Sequence, residues 1–530
     1  MTSSILRRRL ADLFALPSIL VLAAGVQVAA IALGKIPWTS DQSIAGLMAR
    51  HIAHEGAHPI FYYGSYYGGT LEPHIIAGVF AVFGSSLFTY RASLVLLLSV
   101  LIGLTYAIGR YAFGKPAGIA AAAYLAVPPA FFLLKGLTSD GTYDTLAILV
   151  AAILFCAIRL DEALGKGSAS GGWLALLGLF AGLAWWVHSL SAYFFVAVGL
   201  WFLAVRPSVF RRARNYVVFL PAFLVGSLPW WLANVGKGWP SLRTPEAATL
   251  SIGEAGKQFL EFYSVGVPVV FGARSYYAAL FSFPGAQFLA GAVYAGLMIA
   301  TIVFIVRNGA GWRSTGGAAP ETRSARTLLL LILLIFSAQL VTSVSVRTYA
   351  ADARFFLPIV VPIALLAGFW FVRAVRSSGR PLAIAAGVAL LGFHFFGLVR
   401  TSRQDDFFHQ PPTGSVVPLI RALDERGLRA VYTGYWTAYR LAFESGERIR
   451  PAIFGEEAAD RYPAYSGDVD ASGNPAVILH GAEAERFRKY LARRGSRFQS
   501  LAIGSHVIFW GFGDGVRDEI RRDRKVPSVS

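Results

Sequence analysis

Apolar runs of about 20 residues, each long enough for a helix to cross a hydrocarbon core of about 30 Å, recur through the first 400 positions. Eleven can be drawn: Leu13–Leu33, Leu87–Ile108, Pro116–Leu134, Tyr143–Ile158, Trp173–Val187, Ala192–Val205, Tyr216–Ala233, Phe288–Val306, Leu328–Val344, Phe355–Val372 and Leu382–Val399. Their middles are almost wholly apolar, and the acids gather at their ends. This pattern predicts a polytopic α-helical membrane protein with about 11 transmembrane helices.

The basic residues set the orientation. With the N-terminus in the cytoplasm, the inside loops hold Arg7–Arg9, Arg110, Lys115, Arg159, Lys166, Arg206, Arg211, Arg212, Arg214, Arg307, Arg313, Arg323, Arg326, Arg373, Arg376 and Arg380, which is 18 of the 29 basic residues in positions 1–400. Such a bias is what the positive-inside rule requires. An odd number of spans then puts the C-terminus outside. The first run resembles a cleavable signal in its flanks, but it exceeds the usual 7–15 apolar residues and is read as an uncleaved anchor.

Two outside loops are long, 34–86 and 234–284, and long ordered loops are usually functional. In the first, Asp41–His54 and Leu71–Phe83 have helical spacing, separated by a glycine- and aromatic-rich turn, PIFYYGSYYGGTLEP, suited to the membrane interface. After Arg400 the composition becomes that of a soluble α/β domain, 401–515. Helices are expected at Val416–Arg426, Thr437–Glu444 and Glu483–Arg494, with strands at Arg429–Tyr435, Arg448–Phe454, Ala476–His480, Phe498–Ile503 and His506–Trp510. The charged tail from Val516, 516–530, is expected to be disordered. The domain boundaries are thus 1–400 for the transmembrane part and 401–515 for a small extracytoplasmic domain.

Composition excludes an ordinary soluble enzyme. The 530 residues are 55% hydrophobic and 15% charged, against about 25% charged in soluble domains. The net charge of +18 would suggest a nucleic-acid partner, but residues 1–400 carry 29 basic and 13 acidic side chains while residues 401–530 carry 19 and 17. The excess therefore sits in the apolar part, and no nucleic-acid partner is expected. Cys156 is the single cysteine, so no intramolecular disulfide forms.

Several polar residues stand at the expected outer ends of the spans. Asp41 opens a helix just past the first span; it, or Ser40, can be simply an N-cap. Glu72 lies on the same loop. Asp144 starts the fourth span, where Lys135 or Arg91 can pair with it, and Arg354 precedes the tenth, where a snorkelling arginine is also content. His188 sits at an outer turn, and His51, His54, His58 and His74 cluster on the first loop without a recognised zinc spacing. A divalent metal at Glu72 with His74 or His188 is a weak candidate, and no cofactor is otherwise implied. Tyr62, Tyr63, Tyr66 and Tyr67 suit an aromatic belt, and Tyr63 and Tyr67 can also stack on a sugar or frame a lipid chain. No glycine-rich nucleotide fingerprint follows a strand.

Together these features resemble the polytopic GT-C glycosyltransferases of the protein O-mannosyltransferase and aminoarabinose-transferase type, the glycosyltransferase family 39 group. The matching stretches are SDQSIAGLMARHIAHEGAHPIFYYGSYYGGTLEP, GTYDTLAIL, GLAWWVHSLSAYFF, GSLPWWLANVGKGWPSLRT, RFFLPIVVP and, in the outer domain, YTGYWTAYRLAFESGERI. The resemblance implies an enzyme of the bacterial inner membrane that moves a sugar from a polyprenyl-phosphate donor to an extracytoplasmic lipid, glycan or protein hydroxyl, with inversion. The family's loop aspartate falls on Asp41, the expected base. Gln42 replaces the acid that usually follows, which weakens a two-carboxylate metal site there. Arg354 then holds the donor phosphate, with Glu72, Asp144, Tyr63, Tyr67 and His188 as further substrate-binding residues. A polytopic transporter or flippase of lipid-linked sugars is the alternative; such proteins have broken helices and polar groups near the midplane and often internal repeats.

Overall fold

The computed structural model describes residues 2–34, 36–138, 142–242, 252–274, 285–308, 326–327, 329–330, 354–377, 379–402, 415–455 and 460–525. The chain forms two compact units. One, helical, takes Met1–Ile36, Tyr67–Leu71 and Ala92–Phe407; the other, built on a sheet, takes Pro37–Tyr66, Glu72–Arg91 and Phe408–Ser530.

In the helical unit, six described helices are long and apolar enough to cross a membrane: Phe14–Ala32, Leu87–Phe113, Ala213–Asn234, Gly285–Asn308, Arg354–Val375 and Arg380–Thr401. Each falls on one of the expected spans, and the chain is a multi-pass membrane protein. Apolar side chains such as Phe288, Val306 and Leu382 face outward, as lipid-facing residues do. The expected straight span at Pro116–Leu134 is instead two helices, Lys115–Ala126 and Ala130–Thr138, meeting at 72°. Pro128 and Pro129 have no N–H to continue the ladder. The Val127 carbonyl released at the break accepts a hydrogen bond from His394 Nδ1 at 2.9 Å, which satisfies a group that lipid cannot.

The runs at Trp173–Val187 and Ala192–Val205 are helices of 17 and 15 residues, Gly171–Val187 and Ser191–Val205, shorter than a perpendicular span needs. Tyr143–Gly165 is a 23-residue helix buried along most of its length. The ninth run, Leu328–Val344, lies almost wholly outside the described residues.

Close approach of backbones holds this unit together. Gly178, Gly182 and Gly226 line the contact between helices Gly171–Val187 and Ala213–Asn234; a Cβ on Gly178 would lie 2.5 Å from the Phe219 carbonyl oxygen, and those on Gly182 and Gly226 would meet the carbonyls of Phe223 and Leu179. Small residues permit such contacts in membranes, where no hydrophobic force draws helices together.

The sheet unit has five strands, β1 (Ala430–Thr433), β2 (Arg450–Ile453), β3 (Ala476–His480), β4 (Gln499–Ile503) and β5 (His506–Trp510), in the order β2-β1-β3-β5-β4. The β2, β1 and β3 strands are parallel; β5 is antiparallel to both β3 and β4. Phe487, Phe509, Tyr432 and Leu479 centre one core cluster, Val431, Leu441, Ile478 and Ile508 another.

Two expectations change here. The soluble domain does not stand alone from residue 401, because helices Ser40–Glu55 and most of Leu71–Phe83, from the first loop, belong to the same unit. The tail is not disordered from Val516: Asp514–Asp523 is a helix. Val516 and Ile520, four residues apart and therefore on one face, are buried in the core of the sheet, while Arg494 pairs with Glu519 at 2.7 Å. The high charge that suggested disorder is the solvated face of an amphipathic helix.

The glycine contact generates a direct test. Gly182→Leu should destabilise the protein by about 1–3 kcal/mol or more, read as a lower thermal midpoint in detergent. Gly103→Leu, which has open space at its Cβ position, should change it little.

Candidate active site

Asp41 stands in the first turn of helix Ser40–Glu55, but it does not cap it. Thr39 is the N-cap, and Gln42 closes a capping box by accepting the Thr39 N–H on its side-chain oxygen at 3.2 Å. The residue that departs from the acidic family pattern thus has a local structural task, and Asp41 does not owe its place to capping.

Tyr435 engages Asp41. Its hydroxyl donates to Asp41 Oδ1, and Ser40 Oγ donates to the Tyr435 backbone carbonyl. Tyr435 begins helix Tyr435–Glu444, is almost fully buried, and has its hydroxyl pKa pushed up by burial and then by the Asp41 charge, against the opposing effect of Arg461. It therefore stays protonated and donates at any working pH. The two helices pack face to face: a Cβ on Gly46 would lie 2.6 Å from the Phe443 ring, and that ring meets Trp38 at 5.4 Å between centroids.

Glu72 is fully buried in the first turn of helix Leu71–Phe83. His74, two positions on, points to a different side of the helix, because residues two apart do not share a face. His188, the other suggested ligand, belongs to the helical unit. Tyr63 has partners within the sheet unit. Its hydroxyl is 2.8 Å from His51 Nδ1 and its ring centroid 4.7 Å from that of Tyr462. Arg91, considered as a partner of Asp144, lies in the sheet unit, where its charge acts on Glu444.

The helical unit gathers the other candidates. Tyr67, Asp144, His188 and Arg354 all belong to it. Asp144 is buried in the first turn of helix Tyr143–Gly165, directly after Thr142, which holds a left-handed φ of 80°, a strain that native structures retain only where the surroundings impose it. His188 ends helix Gly171–Val187. Its Nδ1 accepts the Leu190 N–H at 3.2 Å, so the neutral ring carries its proton on Nε2, 3.4 Å from the Tyr143 hydroxyl. Tyr143 packs edge-on to Phe355, over which the Arg354 guanidinium lies 5.5 Å from the ring centroid. Burial, and next the Arg354 charge, lower the His188 pKa to about 4. Tyr67 meets the His188 ring at 6.4 Å, and the Gly69 N–H donates to the Val187 carbonyl at 2.9 Å, tying the short segment Tyr67–Leu71 to this turn. Aromatic side chains, a neutral imidazole, a buried carboxylate and a guanidinium therefore share one region, which suits an anionic, sugar-bearing headgroup.

Residues 70–231 match the family model described as dolichyl-phosphate-mannose-protein mannosyltransferase. The match includes Glu72, Asp144 and His188 but neither Asp41 nor Arg354. No curated protein sequence matches the chain. Among solved structures, ArnT from Cupriavidus metallidurans bound to undecaprenyl phosphate is similar with a TM-score of 0.60 at 12% identity, covering 93% of this chain and 97% of that one. The chain has the GT-C glycosyltransferase fold. The oligosaccharyltransferase of Archaeoglobus fulgidus in the apo form is similar too, with a TM-score of 0.52 at 14% identity over 94% of this chain and 74% of that one.

Tyr435 and Arg461 escaped attention in the sequence because nothing local distinguishes them; Tyr435 lies in the quoted YTGYWTAYR stretch, nearly 400 positions from its partner. A double-mutant cycle of Tyr435→Phe and Asp41→Asn, followed by thermal unfolding, should give a coupling of about 1–3 kcal/mol, the range for a hydrogen bond to a charged group. Strictly additive losses would mean that the pair does not interact.

Proposed function

We propose that the protein transfers a sugar, with inversion, from a polyprenyl-phosphate-linked donor to a hydroxyl on the extracytoplasmic face of the bacterial inner membrane, the acceptor being a lipid, glycan or protein. The observation that carries this is the pairing of the GT-C fold along almost the whole chain with a family match whose description names a dolichyl-phosphate sugar. Dolichyl phosphate and the undecaprenyl phosphate held by the similar ArnT structure are both polyprenyl phosphates, so one donor class fits both. The N-terminus is assigned to the cytoplasm by the basic loops, and the sheet unit to the opposite side.

Transfer from a phosphate ester needs a base for the acceptor hydroxyl and a cation for the departing phosphate. Asp41 is the base. The Tyr435 hydrogen bond fixes the plane of its carboxylate, and the attacking hydroxyl gives up its proton late, as positive character builds at the anomeric carbon. Arg354 binds the phosphate, for which its planar fork and permanent charge are suited. His188, neutral, can donate from Nε2 to a sugar or phosphate oxygen, and Tyr67 supplies an aromatic face beside it. Asp144 and Glu72 serve to bind substrate. No step requires a metal ion, and a divalent ion at the phosphate is compatible with the scheme. A transporter reading has no comparison in its favour.

Two substitutions test the assignment. Asp41→Asn should leave expression and folding intact while turnover falls at least ~100-fold, since general bases contribute about 10²–10⁴-fold. Wild-type turnover in that variant would move the base to Glu72 or Asp144. Arg354→Ala should nearly abolish donor use and Arg354→Lys should weaken it; normal donor affinity in Arg354→Ala would reject its role.

A further inference from the structure

Within the sheet unit, three side chains with metal-ligating atoms meet away from Asp41. His51 and Glu55 are one turn apart on helix Ser40–Glu55, and Glu447 follows helix Tyr435–Glu444. Their ligand atoms all lie within 4.8 Å of one another. His51 Nε2 is 3.0 Å from Glu447 Oε2 and 4.0 Å from Glu55 Oε1. Ligand atoms around a tetrahedral zinc ion, with bonds of about 2.0–2.1 Å, are roughly 3.3 Å apart, so the two separations bracket what the ion needs.

The groups around these three are arranged as an outer shell. Tyr63 is 2.8 Å from His51 Nδ1; once an ion takes the place of the Nε2 proton that Glu447 now accepts, Nδ1–H can donate to the Tyr63 hydroxyl, the usual device for orienting a metal-bound imidazole. Tyr465 donates to Glu447 Oε2 at 2.7 Å, and Arg50 pairs with Oε1 at 3.2 Å. Glu447 also has φ 63°, immediately after Gly446 at φ 64°. Left-handed backbone at a glutamate costs energy and persists where surroundings impose it; here it brings a carboxylate to His51. His51 itself is buried, whereas Glu55 is exposed, leaving a route for an ion and a water.

We propose that His51, Glu55 and Glu447 form a zinc site, with water as the fourth ligand. One imidazole nitrogen and two carboxylate oxygens are a donor set zinc accepts. A neutral imidazole and two carboxylates, one of them paired with Arg50, offer the ion a net negative ligand set. The ion fastens helix Ser40–Glu55 to the segment after helix Tyr435–Glu444, so its role is to hold that pair of helices, independently of the proposed transfer chemistry.

Tag-free, full-length protein in detergent, stripped with chelator and titrated with ZnCl₂ by calorimetry, tests the site. One zinc ion per chain should bind, with a raised thermal midpoint, and both His51→Ala and Glu55→Gln should weaken binding at least tenfold. Glu55→Gln alters an exposed side chain, so it reports on the site even where His51→Ala impairs folding. Absence of zinc binding to the wild type, or binding undiminished in Glu55→Gln, overturns the proposal.

Discussion

The contact on which the sheet unit depends is the packing of helix Ser40–Glu55 against helix Tyr435–Glu444. It joins segments nearly 400 residues apart, and every feature of interest in that unit is fastened to it. At one end Ser40 and Asp41 bond to Tyr435. In the middle Gly46 admits the Phe443 ring, which also lies among Trp38, Phe80 and Tyr90. At the far end the Arg50 guanidinium lies 4.6 Å from the Phe443 ring centroid, donates to the Phe443 carbonyl at 3.0 Å and pairs with Glu447. An aspartate at the start of a loop helix would otherwise swing with its loop. Here the sheet domain provides the rigid support that a positioned carboxylate requires.

The helical unit answers a different constraint, that backbone groups in lipid must find partners within the protein. Continuous helices satisfy it locally. Where the chain breaks at Pro128 and Pro129, His394 supplies the missing donor, and where helices must approach, Gly178, Gly182 and Gly226 remove the side chains in the way.

Much of this was legible in the sequence, for definite reasons. Long apolar runs report membrane helices directly, and alternation with turn residues placed each of the five strands within two residues of its observed ends. Three features were less legible. The bend after Ala126 was hidden because an apolar run has the same composition whether straight or broken, although two adjacent prolines were the available signal. The tail helix was obscured by its charge, with Val516 and Ile520 the overlooked clue. The domain boundary was misplaced because periodicity says nothing about which distant segment a helix packs on. The same limit applies to the candidate site: Asp41, Asp144, His188 and Arg354 stood out as polar residues beside apolar runs, whereas Tyr435, Arg461 and Glu447 sit in an ordinary amphipathic context and acquire meaning only from their partners.

The proposed donor is a polyprenyl-phosphate sugar. Purified protein should be given a polyprenyl-phosphate sugar labelled in both the sugar and the lipid, together with an envelope extract as acceptor source. Release of free polyprenyl phosphate in step with appearance of the sugar on an acceptor is the predicted result. Recovery of the intact lipid-linked sugar, whether unchanged or moved to the other side of a vesicle, would contradict it.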